Sequence, residues 1–135
     1  MKGSYILVIF IEFNKTIKIG RLGNLIFKRG YYFYVGSAMG TSGSTTLLNR
    51  VKRHLRFPNQ KRNHWHIDYF LENESASIIK VYLIPCRFKL ECKIAQELVE
   101  ISDEYVENFG SSDCDCKSHL IYWNFKTFPL KKDNN

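Results

Sequence analysis

The chain has 135 residues, 44% hydrophobic and 15% aromatic, enough for one closed hydrophobic core and too apolar for a disordered chain. Its net charge of +7 disfavours cationic partners and favours polyanions, nucleic acid first among them. The longest apolar run, 5–11, is too short to span a bilayer and continues into polar residues with no small-residue cleavage site, so a membrane anchor and a secretory leader are not expected and the expected compartment is the cytoplasm.

In chain order, 4–13 reads as a buried strand from its β-branched and aromatic content, 16–20 alternates, and 22–24 turns the chain into a short strand over 25–27. Lys28-Arg29-Gly30 turns it again into 31–37, whose aromatic density favours a central strand. A Gly/Ser/Thr-rich loop over 39–46 follows, and Leu47, Leu48, Val51 and Leu55 recur at three- and four-residue steps, which predicts a helix over 46–57 stopped by Pro58. Residues 63–71 read as a short helix or a strand, the helix preferred, and 77–84 reads as a strand. Helical spacing of Leu90, Ile94, Leu98, Ile101 and Tyr105 predicts the longest helix over 90–106, ahead of a last strand over 119–125. The whole is expected to be one domain over 1–130 with a frayed tail at 131–135.

A strand that ends in a small-residue loop and enters a basic helix suits phosphate, because the loop leaves backbone N–H groups open to an anion. That segment is Tyr34-Val35-Gly36-Ser37-Ala38 followed by Arg50, Lys52, Arg53 and Arg56, with Lys61 and Arg62 beyond, and no acid occurs between Arg50 and Arg62. Gly36 and Ser37 would face the phosphate at the strand end, while Lys52, Arg53, Arg56, Lys61 and Arg62 are expected to position the backbone.

Gly3-Ser4-Tyr5, Tyr34-Val35-Gly36, Arg50-Val51-Lys52-Arg53-His54 and a later helical glutamate resemble the motif order of the GIY-YIG endonuclease superfamily. More narrowly, Tyr34-Val35-Gly36-Ser37-Ala38, His64-Trp65-His66-Ile67-Asp68-Tyr69, Glu91-Cys92 and the run from Phe109 through Cys114-Asp115-Cys116 to His119-Leu120 look like its compact, mostly archaeal branch of unassigned function, in places fused to an endonuclease III-type glycosylase. This match covers nearly the whole chain. It implies an α+β fold, a small antiparallel sheet flanked by helices, here with an extra hairpin over about 16–27.

The resemblance implies a metal-dependent endonuclease that hydrolyses DNA phosphodiesters in repair or recombination, with DNA and a glycosylase or other repair protein as partners. Tyr5 would position or deprotonate the attacking water, Tyr34 orient it, Arg50 fork onto the scissile phosphate, and His54 hold Tyr5 or protonate the leaving group. Glu91 would hold Mg²⁺ or Mn²⁺, with Glu97 the alternative. His64, His66 and Asp68 are expected to brace the site. The alternative function is a non-catalytic nucleic-acid-binding module that keeps the fold. For Cys92, Cys114 and Cys116 buried free thiols are the first reading; structural zinc, with His119 as a further ligand, and a disulfide from Cys92 to Cys114 or Cys116 are the others. Cys86 is expected to be inert.

Overall fold

A computed structural model describes residues 1–56, 65–111 and 116–124. The strands are β1 (Gly3–Ile11), β2 (Lys15–Lys18), β3 (Asn24–Phe27), β4 (Gly30–Ala38), β5 (Ala76–Pro85), β6 (Glu104–Tyr105) and β7 (Leu120–Asn124). The helices are α1 (Leu47–His54), α2 (His66–Leu71) and α3 (Glu91–Ile101), with single 3₁₀ turns at Gly20–Leu22 and Gly43–Thr45. Five strands form one antiparallel sheet in the order β5-β1-β4-β7-β6, and β2 and β3 form a separate hairpin. The fold is α+β, as the sequence implied.

Side chains alternate across a strand, so β1 and β4 each supply both faces of the sheet. Tyr5, Leu7, Ile9 and Ile11 of β1 join Tyr32 and Tyr34 of β4 on one face, beneath Leu47 and Val51 of α1 and Ile67 and Phe70 of α2. On the other face Val35, Ile121 and Trp123 pack against Ala95 and its half-buried neighbours Ile94 and Leu98 on α3. The sheet is thus a middle layer, which explains why β1 and β4 read as apolar runs with little alternation. Each fully buried Leu or Ile in it contributes about 1.5–3 kcal/mol of transfer free energy.

β1 and β4 pair along their whole length, which sets Tyr5 opposite Gly36 and Leu7 opposite Tyr34. Tyr5 and Tyr34 are therefore diagonal neighbours on one face, with ring centroids 6.3 Å apart. The extra hairpin expected at 16–27 is β2 and β3; Ile19 and Phe27 reach the core from it and are 0% and 1% exposed.

The longest predicted helix is shorter than its apolar spacing suggested. α3 stops at Ile101, Ser102 is extended, and 104–105 become the edge strand β6. Tertiary pairing overrides helical periodicity here: Glu104 and Tyr105 pair with Tyr122 and Ile121, Val106 N–H donates to Leu120 O, and Asp103 accepts from Asn124 N–H. The segment left open between helix and strand is helical from His66, since the Asp68 carboxylate accepts the Trp65 backbone N–H at 2.8 Å and caps the first turn. Position 57, Pro58 and the tail at 131–135 lie outside the described residues.

Candidate active site

The side chains of the site come from four separate elements. Tyr5 and Tyr34 stand on paired strands, Arg50 lies on α1, and Glu91 opens α3. α1 starts where it does because Thr46 accepts a hydrogen bond from Asn49 N–H with its side chain, and its apolar stripe, Leu47 and Val51, is buried against the sheet. That orientation turns Arg50 back over the end of β4.

Together these four residues line a pocket of about 280 Å³, with Gly36 and Ser37 at the strand end and Trp65, His66, Lys89 and Gly110 completing the wall. The Arg50 guanidinium lies 4.7 Å from the centre of the Trp65 ring and donates long hydrogen bonds, both 3.4 Å, to the carbonyls of Ser37 and Ser44. Among the described residues Arg50 makes no ion pair, so its charge faces the pocket without a neutralising carboxylate.

Tyr5 is 2% exposed, and its hydroxyl lies 2.7 Å from His54 Nε2. Burial, with smaller effects from Tyr34 and Glu91, holds the phenol well above the usual tyrosine range, while Arg50 pulls the other way. Tyr5 is therefore a neutral hydrogen-bonding phenol at neutral pH. His54 stands behind it and does not line the pocket.

Glu91 is held from two sides. Oε1 accepts from Ser37 Oγ at 2.7 Å, and Oε2 lies 3.4 Å from His119 Nδ1. Lys89 Nζ stands 3.6 Å from Oε1. Glu97, the alternative carboxylate, is exposed and lines no part of the pocket.

His66 is fixed by its Nδ1, which accepts the Gly110 backbone N–H at 2.8 Å. Burial lowers its pKa, so the ring is neutral with its proton on Nε2. It also borders a second, larger cleft of about 1080 Å³, lined by Lys18 and Arg21 from the β2–β3 hairpin, Tyr69 from α2 and the carboxylate-bearing Glu72.

A family model described as a domain of unknown function, DUF123, matches residues 4–134. The chain belongs to the DUF123 family. No curated protein and no solved structure shows significant similarity to it.

Other site residues expected of this DUF123 chain lie elsewhere or serve other ends. Arg53 is paired with Asp68 through two hydrogen bonds of 2.7 and 3.0 Å and stacks 4.4 Å from the Trp65 ring, so it is spent inside the protein, not offered to phosphate. Asp68 is 0% exposed and faces Arg53 and the α2 terminus, a brace beneath Trp65 rather than a metal ligand in the pocket. Lys52 on α1 and Arg56 just past its end are exposed but outside the pocket wall. Lys61, Arg62, His64 and Cys114 lie outside the described residues.

Gly36 lines the pocket where phosphate is expected, and its missing side chain also makes room for Tyr5. A Cβ there would fall 2.9 Å from Tyr5 Cε1 and nearer still to Cζ and the hydroxyl, so the missing side chain is the room in which the phenol sits. Cys92 and Cys116 are joined as a disulfide in place of the expected free thiols, and Cys86 is free. Lys89, Lys18 and Arg21 escaped the sequence reading. Only the position of Lys89 two residues before Glu91 pointed to it; the two hairpin cations carry no local signal.

Proposed function

We propose that this DUF123 domain is a metal-dependent DNA endonuclease of GIY-YIG type. The observation that carries the reading is the gathering, around one pocket, of two phenols, a guanidinium that makes no ion pair among the described residues, and the carboxylate of Glu91. Phosphodiester hydrolysis calls for those groups: a proton acceptor for water, cationic charge for the non-bridging oxygens, and an anchor for a divalent ion.

Glu91 fits the role of anchor. A carboxylate has about four lone-pair sites; Ser37 takes one on Oε1, with Lys89 3.6 Å from that oxygen and His119 Nδ1 3.4 Å from Oε2, which leaves capacity toward the pocket. One carboxylate with waters and substrate oxygens suits Mg²⁺ or Mn²⁺, which when bound neutralises charge on the phosphate and the departing oxygen.

The chain's own residues do the rest. Tyr5 holds the attacking water through its oxygen while donating to His54 Nε2. As the phenol takes a proton from water it passes its own to His54, so tyrosinate need not form beforehand. Tyr34 orients the same water, and Arg50, held over the Trp65 ring, forks onto the non-bridging oxygens. The cleft beyond His66, where Lys18 and Arg21 outweigh the charge of Glu72, offers a path for the strand leaving the pocket. The resemblance adds a setting in DNA repair or recombination beside a glycosylase or another repair protein.

A Mg²⁺-dependent nicking assay over branched, flapped and damaged duplexes tests this, with Glu91→Ala beside the wild type. Cleavage by the wild type and not by Glu91→Ala supports the reading. Binding on every substrate with cleavage on none favours a non-catalytic binding module instead.

A further inference from the structure

Cys92, Cys116 and His119 lie just behind the pocket, and the chemistry above gives the two sulfurs no task and His119 only its contact with Glu91. Cys92 is the second residue of α3, Cys116 stands before β7, and His119 immediately precedes it. One donor atom from each lies within 4.8 Å of the other two. His119 is 2% exposed and its backbone is pinned on both sides: its N–H donates to Phe109 O at 2.8 Å, and its carbonyl accepts from Val35 N–H at 2.9 Å.

The ring's two nitrogens face different partners. Nε2 lies 3.8 Å from Cys92 Sγ, and Nδ1 lies 3.4 Å from Glu91 Oε2. A carboxylate beside Nδ1 favours the proton on that nitrogen, which would leave the Nε2 lone pair for the sulfurs. This carboxylate–imidazole pairing is the usual way a metal-bound histidine is oriented. Two sulfurs and an imidazole are, in turn, borderline-soft donors that select zinc over magnesium or calcium.

We propose that, in the reduced protein, Cys92, Cys116 and His119 bind one zinc ion, with Glu91 orienting His119. Each thiol gives its proton to solvent and binds as thiolate, His119 binds as neutral imidazole through Nε2, and no electron moves. The disulfide is the competing state, because it uses the same two sulfurs and withdraws two electrons from them. Zinc here clamps the start of α3 to the entry of β7, and so fixes Glu91 at the pocket mouth. The ion binds whether or not the pocket cleaves DNA.

The test is metal analysis of the full chain, purified under reducing conditions with zinc supplied, together with a thiol count and replacement of the bound metal by Co²⁺. Expected are about one zinc per chain, its loss in Cys92→Ser and Cys116→Ser, and thiolate-to-cobalt charge-transfer bands in the near ultraviolet. Glu91→Gln should keep the site but weaken it about 10- to 100-fold against a competing chelator. Zinc retained at full stoichiometry in both serine variants overturns the assignment. So does a wild type that carries little zinc and whose Cys92 and Cys116 are recovered as a disulfide. If the serine variants do not fold, the wild-type cobalt spectrum decides, and absence of thiolate bands refutes the site.

Discussion

An alanine at position 36 would set its Cβ 2.9 Å from Cε1 of Tyr5 and closer to Cζ and the hydroxyl, a separation that real side chains essentially never show. Neither side yields cheaply. Gly36 is paired with Tyr5 in the β1–β4 ladder, and the Tyr5 ring is sealed among Tyr34, His54 and the sheet. Overpacking of this kind costs about 1–3 kcal/mol, and swinging the phenol away from His54 Nε2 adds about 0.5–1.5 kcal/mol for the lost hydrogen bond. A total of about 2–4 kcal/mol at about 4 °C per kcal/mol lowers Tm by about 10 °C in a domain of this size. Displacing the hydroxyl by about 1 Å also lowers turnover about 100-fold. Thermal melts followed by circular dichroism read the first effect and the nicking assay the second. In a Tyr5→Val background the ring is gone, and the same glycine-to-alanine change should cost under about 0.5 kcal/mol. If Gly36→Ala melts with the wild type, or if its cost is the same in both backgrounds, the reasoning is wrong.

Asp68→Ala leaves the Arg53 guanidinium facing an empty, buried position and should cost about 3 kcal/mol by urea unfolding, while the turnover of the folded fraction stays near wild type. On the acid side His66 contributes: burial holds its folded pKa below the unfolded value of about 6.5, so the unfolded chain takes up the proton first. Its contribution is complete above that pH and is lost as pH falls through it; Tm measured between pH 5 and 7 should fall less steeply in His66→Asn. On the alkaline side burial raises Tyr5, Tyr32 and Tyr122, so their contribution is full below about pH 10 and is lost as pH rises beyond it. Ultraviolet titration should show these phenols ionising only with unfolding, and three that ionise near pH 10 in the folded protein would contradict their burial.

The central strands and the Arg50 helix were legible because local and tertiary signals agree. β-branched and aromatic residues fill a strand that is covered on both faces, and the Leu47 and Val51 stripe matches the face that α1 buries. Disagreement between the two produced the misreadings. Tyr105 continues the helical spacing of α3 but joins β7, because an open sheet edge offers its backbone partners that a last helical turn would leave to solvent. Arg53 reads as one more surface cation until α2 brings Asp68 beneath it, a contact set by chain segments 15 residues apart. The role of Gly36 was hidden for a similar reason: a glycine's sequence shows the absence of a side chain, and only the register across β1 and β4 reveals that a tyrosine occupies the space. Lys18 and Arg21 reach the second cleft through the placement of the hairpin against α2, which no local pattern encodes.

Single-turnover cleavage of one nicked-product substrate by wild type, Arg50→Ala and Arg50→Lys, with DNA affinity measured alongside at the same salt, bears most directly on the central claim. The expected result is Mg²⁺-dependent cleavage by the wild type, slowed about 100-fold or more in Arg50→Ala and not restored by lysine, while all three proteins bind DNA with similar affinity. Cleavage by Arg50→Ala at the wild-type rate, or wild-type protein that binds DNA and never cuts it, would contradict a catalytic pocket built around that guanidinium.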